Sequence, residues 1–145
     1  MNINYRLLKK NDFYKGFLDL INYFTKNHKL VSYENFKKHY HNAINQNSII
    51  YVAECQNKIV ATARLLIEYK FNNNLSKMGH IEDVIVDEKY RGNGIGGSLI
   101  KILLEEVKKN NCYKVSLCSS EKNKEFYIKC GFKVKDLEMT KYLIK

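Results

Sequence analysis

The sequence predicts an α+β fold: a mixed, twisted β-sheet with a central antiparallel meander, flanked by helices. Three observations predict it. Residues 49–54, 59–69 and 78–86 read as successive apolar strands with no helix between them, which calls for antiparallel pairing. A glycine-rich run, Arg91-Gly92-Asn93-Gly94-Ile95-Gly96-Gly97, then opens an amphipathic helix that leads into a further strand. Two helical segments separate the first strand from the meander.

Taken in order, Ile3 to Leu8 alternate partly and form the first strand. Asn11 and Asp12 can cap a helix carrying Phe13, Phe17, Leu20, Ile21 and Phe24 at helical spacing. Ser32 caps a second helix whose apolar stripe is Phe36, Tyr40 and Ile44 and which ends near Asn45. The strands over 49–54 and 59–69 join through a tight Gln56-Asn57 turn. Residues 72–76 are polar and read as a loop, and 78–86 is the central strand. The long helix buries Leu99, Ile102, Leu103 and Val107 and stops at Asn110-Asn111. A strand over 114–118 follows, then a short helix over 121–130 stopped by Gly131, and a last strand over 133–144.

A chain of 145 residues, 45% hydrophobic, suffices for one domain spanning 1–145 with its own core. No apolar run approaches the ~20 residues of a membrane span, and the polar residues Asn2, Asn4 and Arg6 interrupt any leader-like stretch. The expectation is a soluble, cytoplasmic protein. Cys55, Cys112, Cys118 and Cys130 lack C-x-x-C spacing and read as neutral thiols; His39 and His41 point to different sides of a helix, so no metal is expected. The charge of +10 is scattered over solvent faces without an arginine-rich or aromatic-interleaved stripe. Nucleic acid is therefore not the expected partner; a positive field would speed the encounter with small polyanions.

Strand, glycine loop and helix in that order build an anion cradle, because the first-turn N–H groups of a helix have no internal partners and glycine lets the backbone come close. Gly92, Gly94 and Gly97 formally satisfy G-x-G-x-x-G, but a dinucleotide fold needs an acid about 20 residues on, and the strand over 114–118 carries none. The preceding meander is also not a βαβ unit. Walker A fails because no Gly-Lys-Ser/Thr closes the loop.

The run from Arg91 to Gly96 resembles the R/Q-x-x-G-x-G/A pyrophosphate loop of the GNAT N-acetyltransferases. Gly79-His80-Ile81-Glu82-Asp83-Val84, Asn111-Cys112-Tyr113-Lys114, Asn123 and Phe126-Tyr127-Ile128-Lys129-Cys130-Gly131-Phe132 narrow the resemblance to the eukaryotic glucosamine 6-phosphate N-acetyltransferases. That resemblance implies acetyl-CoA as cosubstrate, lying between the central strand and the strand after the long helix. The residues implied at it are Val84, Ile85 and Val86, then Arg91, Gly92, Asn93, Gly94, Ile95, Gly96 and Gly97, and then Cys118, Asn123 and Tyr127. It also implies a backbone N–H at Val84 for the oxyanion, helped by a bulge that frees donors from the ladder.

Acetyl transfer from a thioester needs a neutral amine, an aligned carbonyl, oxyanion stabilisation and an acid for the leaving thiolate. Tyr127 matches the family's tyrosine; a phenol of pKa about 10 can protonate a thiol of about 8.5 without being ionised at rest. Phe126 is taken as the neighbouring core aromatic, so that Tyr127 faces elsewhere. Glu82 and Asp83 are strand neighbours pointing to opposite faces, so they form no shared dyad. The resemblance implies that the Glu82-Asp83 pair lies at the sugar site, where a carboxylate can bind the amino sugar and accept the amine's proton directly or through water. Asp83 is expected on the side of Ile81 and Ile85, where a buried acid is costly, so Glu82 is the first candidate for base or anchor, with structural salt bridges as the alternative for both. By resemblance the acceptor side further includes Thr25, Lys70, Asn73, Tyr113, Lys114 and Lys141, and the enzyme is a homodimer whose sugar site borrows partner residues. Two positions depart from the family pattern: Cys118 stands where an acid is usual, and Lys141 where an arginine is. An enzyme of the same superfamily acting on a polyamine or protein amine is the second reading, and a non-catalytic CoA- or nucleic-acid-binding module the third. Tyr127 and the Glu82-Asp83 pair argue against the last, since binding alone needs neither.

Overall fold

The computed structural model describes residues 1–26 and 28–144. Five strands lie in the order β1-β2-β3-β4-β5: β1 Asn4–Leu7, β2 Ser48–Cys55, β3 Lys58–Tyr69, β4 Lys77–Val86 and β5 Cys112–Leu117. The first four pair antiparallel and β5 runs parallel to β4. The β2–β3 turn takes positive φ at both Gln56 and Asn57, as a two-residue hairpin requires. The parallel crossover is the long helix.

Between β1 and β2 the chain forms α1, Phe17–Thr25, and α2, Tyr33–Asn45. Ser32 caps α2, its Oγ accepting from Asn35 N–H at 3.2 Å. The first helix does not start at Asp12 as its spacing suggests. Residues Lys10–Lys15 form a 3-10 turn, and Gly16 at φ 81 separates it from α1. Asp12 is buried instead in an ion cluster: Arg6 donates to both of its oxygens at 2.8 and 2.7 Å, and Lys9 N–H to Oδ2 at 2.8 Å. Arg6 and Lys15 also bind Glu54 on β2, which ties the N-terminal strand to the meander. Burial pushes the Asp12 carboxyl up, but the Arg6 bonds, the Lys9 N–H and the neighbouring charges outweigh it and hold it below its ordinary range.

Helix α3, Ile95–Lys109, covers one face of the sheet, and α4, Lys124–Lys129, follows β5. Leu99 and Leu103 are fully buried with Ile95, Ile100 and Val107 against Val60, Leu65 and Ile81. The opposite face packs Val52, Ile59 and Ile85 against Phe17, Leu20 and Phe36 of α1 and α2. Truncating Leu103 to alanine would cost roughly 2–5 kcal/mol of that packing.

Two expectations change here. Residues 72–76 are not an open loop but a left-handed turn: Asn73, Asn74 and Leu75 have φ of 49, 58 and 58, and Ser76 N–H closes it onto Asn72 O at 3.3 Å. Asparagine tolerates this region better than most residues, which accounts for Asn73 and Asn74; Leu75 takes it without that advantage. Residues 133–144 form no strand. Leu137 and Met139 are each 93% exposed and Ile144 89%. Alternating residues alone do not make a strand; it needs a partner edge, and within this chain the tail does not pair with β5.

Candidate active site

The parallel ladder ends at Ile81↔Leu117, while β4 continues to Val86. Because β5 ends at Leu117, the edge of β4 from Glu82 to Val86 has no strand partner on that side. The glycine run follows β4 past that open edge. Gly92 and Gly94 have φ of 79 and 74, and Gly94 occupies the N-cap of α3 with no side chain capping the helix. A Cβ added at Gly92, Gly94 or Gly97 would meet nothing within 4 Å, so the backbone is open to approach at these positions. Gly96 differs: a Cβ there would lie 3.2 Å from Phe126 Cζ. The Ile95 and Ile85 side chains are core, leaving only their backbones to a ligand. Arg91 Nε donates to Val86 O at 3.1 Å, and Asn93 Nδ2 to Tyr90 O at 3.0 Å, fixing the loop from within.

At Asp83 the central strand bulges. Thr62 pairs with Ile85 and Arg64 with Glu82, so β4 spends one residue more than β3 between the two pairs. Asp83 takes the extra place with φ 52. The bulge reverses the parity of alternation, which corrects the expectation for Asp83: Ile81 packs with α3 whereas Ile85 packs with α1 and α2, so they do not share a side. Asp83 is exposed and its Oδ2 lies 3.3 Å from Arg64 Nε. Glu82 is exposed at the bulge with Val84 immediately after it. Sequence reasoning missed Arg64; the available signal was an arginine interrupting an otherwise apolar β3.

Tyr127 is half-buried against the α3-side core, edge-on to Phe126 at 4.9 Å and to Phe132 at 6.2 Å. The expected division of labour is reversed, for Phe126 is the more exposed ring and covers Gly96. Burial pushes the Tyr127 phenol up, with the neighbouring Cys130 adding to it, so it stays protonated at neutral pH. Asn123 closes the 3-10 turn before α4, its N–H donating to Ser120 O at 3.0 Å. Cys118, just past β5, bonds through its thiol to Glu138 of the tail, which holds that thiol up. Glu138 thus brings a carboxylate to the position where the chain's own residue is a cysteine. It too was missed, because only the folded chain brings it near.

On the face of the sheet opposite α3, the acceptor-side candidates partly gather. Lys70 Nζ donates to Glu68 Oε1 at 3.0 Å, and His80 Nε2 lies 2.6 Å from Glu68 Oε2. The His80 bond first, then Lys70, hold the Glu68 carboxyl below its ordinary range. Lys114 lies over the Tyr113 ring at 5.5 Å on β5. Asn73 is in the left-handed turn, with Lys70 N–H bonded to Ser76 O across its base. Thr25 ends α1, its hydroxyl spent on Ile21 O at 3.0 Å. Beside it a cleft of about 360 Å³ runs between α1 and the turn after β4, bordered by Tyr23, Phe24, Ile85, Glu88 and Arg91. Lys141 lies in the exposed tail and is not drawn into this group. Among the described residues, no three of His, Cys, Asp and Glu converge as metal ligands, and no helix is long and apolar enough to cross a membrane.

A mixed sheet whose bulged central strand outruns its parallel neighbour, followed by a glycine-capped helix, defines the architecture of an acetyltransferase of the GNAT type. The chain belongs to that family: the model described as the acetyltransferase (GNAT) family matches residues 15–132. It is 38% identical over 141 residues to the glucosamine 6-phosphate N-acetyltransferase of Arabidopsis thaliana, covering 94% of each chain. It is 35% identical over 145 residues to glucosamine 6-phosphate N-acetyltransferase 1 of Dictyostelium discoideum, covering 97% of this chain and 91% of that one. The crystal structure of the A. thaliana enzyme superposes with a TM-score of 0.94 at 36% identity, covering 99% of this chain and all of that one. An acetyltransferase from Trypanosoma brucei gives 0.93 at 34% identity, covering 98% and 100%. The family read from the loop and the four segments, and the α+β fold with it, are those the comparisons find.

Proposed function

We propose that the chain, acting over residues 1–145 as one acetyltransferase domain, moves the acetyl group of acetyl-CoA to the amine of glucosamine 6-phosphate by direct attack in a ternary complex. The product, N-acetylglucosamine 6-phosphate, would feed UDP-N-acetylglucosamine synthesis. The observation that carries the reading is similarity along nearly the whole chain to proteins named for this reaction. Open backbone at Gly92, Gly94 and Gly97 fits a pyrophosphate, which supports acetyl-CoA as donor. Bound there, acetyl-CoA would supply an activated thioester beside the open edge of β4.

Glu82 anchors the amine and accepts its proton, directly or through water. Arg64 engages the neighbouring Asp83, leaving Glu82 for this task. The Val84 N–H, after the bulge, donates to the oxyanion as the amine nitrogen bonds to the carbonyl carbon. Tyr127 gives its phenolic proton to the sulfur as the carbon–sulfur bond breaks. Lys70 and Lys114 meet the phosphate with charge-assisted hydrogen bonds.

Paired assays of glucosamine 6-phosphate, glucosamine, spermidine and a peptide amine, with release of CoA thiol as readout, test the acceptor. The phosphorylated sugar should exceed glucosamine by at least tenfold in kcat/KM, since a charged hydrogen bond contributes roughly 1.5–3 kcal/mol. Lys70→Ala and Lys114→Ala should erode that preference and leave CoA binding intact. Equal kcat/KM for both sugars, or turnover of spermidine or peptide alone, would refute the amino-sugar assignment and leave the family standing.

The exposed tail supports a homodimer. Val134, Leu137, Met139, Tyr142, Leu143 and Ile144 hold apolar surface in water that a second copy can cover, and β5 offers a free edge. Light scattering should give twice the chain mass, and removal of residues 133–145 should halve it. A monomeric full-length protein at micromolar concentration would dispose of the dimer.

A further inference from the structure

Glu68 stands between two groups. Its Oε1 takes Lys70 Nζ at 3.0 Å and its Oε2 takes His80 Nε2 at 2.6 Å, while His80 Nδ1 lies 3.5 Å from Ser116 Oγ on β5. This geometry accepts either charge state of the imidazole. Neutral, it donates Nε2–H to Glu68 and receives the Ser116 hydroxyl on Nδ1; with a second proton on Nδ1, the Ser116 hydroxyl has only to rotate and accept. None of the three is sealed from water, the His80, Glu68 and Lys70 side chains being 30%, 42% and 28% exposed.

The charge arithmetic differs between the states. With neutral imidazole, one carboxylate and one ammonium cancel, and Glu68 repels any anion that approaches Lys70. With imidazolium, two cations share one carboxylate and the cluster is positive. The other charged or titratable groups on the strands around His80 are Lys58, Arg64 and Tyr69 on β3, Lys77, Glu82 and Asp83 on β4, and Cys112, Tyr113 and Lys114 on β5, with Cys118 just past it held by Glu138. Histidine is the side chain among these whose charge ordinarily changes between pH 5 and 8.

We propose that His80 is a positioning residue for the acceptor phosphate: through Glu68 it governs how far the Lys70 ammonium is free to meet that phosphate, and it takes up a proton from solvent when the phosphorylated acceptor binds. The inference rests on the sugar-phosphate reading above. Binding and protonation are then reciprocal, each favouring the other by the same factor. At this exposure the factor should be about fivefold, the low end for coupled sites.

The test compares wild type with His80→Gln, whose amide can still donate to Glu68 but does not titrate. At saturating acetyl-CoA, KM for glucosamine 6-phosphate should rise more steeply in the wild type between pH 6 and 8, by about fivefold over the variant. The titration of the phosphate itself is common to both and drops out of the comparison. Calorimetry at pH 7 in two buffers of unlike ionisation enthalpy should register greater proton uptake by the wild type, while kcat moves less than KM. For unphosphorylated glucosamine the two proteins should run in parallel. His80→Asn serves if the glutamine variant unfolds. Parallel KM profiles for the phosphorylated sugar, offset at every pH, would reduce His80 to a structural role and overturn the proposal. Lys70→Ala separates the two levels. If it keeps the phosphate preference, the phosphate is held elsewhere and the inference falls with its premise; if it loses the preference while wild type and His80→Gln keep matching pH profiles, only the inference falls.

Discussion

Tyr127→Phe deletes one oxygen and keeps the ring, so it isolates the acid from the packing. The ring makes edge contacts with Phe126 and Phe132 and packs on the α3-side core, all of which phenylalanine retains. Folding stability should move by no more than about 1 kcal/mol, the net worth of a typical hydrogen bond. Turnover should fall by about 10²-fold, or ~2.7 kcal/mol in barrier, the low end for general acid catalysis. The effect falls at the low end because burial pushes the phenol up, making it a weaker acid for a leaving thiolate that can also depart unprotonated. Single-turnover thiol release, with acetyl-CoA affinity measured separately, is the assay. The variant should bind acetyl-CoA within twofold of wild type. Raising the pH through the phenol's elevated pKa should suppress the wild-type rate and have no such effect on the variant. A variant whose chemical step is as fast as wild type would return Tyr127 to the core.

Gly94→Val places a branched side chain at φ 74, where no neighbour obstructs it but the backbone disfavours it by about 1–2 kcal/mol. The domain should remain folded while CoA affinity drops at least tenfold by calorimetric titration; unchanged affinity in the folded variant would remove the loop from the CoA site. The Arg6–Asp12–Glu54–Lys15 cluster should make the fold acid-sensitive. Asp12 and Glu54 are both held below their ordinary values, so their stabilisation is present above about pH 4 and is lost as pH falls through the lowered folded-state values. Asp12→Asn should therefore unfold at lower urea at pH 7, by roughly 3–5 kcal/mol for a broken buried pair, and show a shallower loss as pH falls below about 4. Equal acid slopes in the two proteins would exclude Asp12 as the source.

Local rules fixed most of the fold in advance. The Ser32 cap, the Gln56-Asn57 turn and the Gly131 stop depend on neighbours a few residues away, and each forms where its pattern lies; the α3 stripe forms too, but buries Ile100 where the spacing predicts Ile102, Ile102 being half-buried at its margin. The glycine loop was legible for the same reason, since open φ and a free helix end are properties of a short segment. The bulge was not. Alternation assumes one residue per place, and only the pairing of β4 with β3 reveals that Asp83 is surplus, which turns Ile81 and Ile85 to opposite faces. Gly16 and the Arg6–Asp12 bond likewise converted a predicted helix start into a 3-10 turn through a contact with β1. Arg64 beside Asp83, Glu138 beside Cys118 and the Lys70–Glu68–His80 series join residues from separate strands or the tail. Sequence by itself determined most of the elements, the glycine loop and the family, because those are written in short-range patterns. Tertiary structure alone decided which charges meet and whether residues 133–144 become a strand, because ion pairs and strand pairing depend on partners distant along the chain.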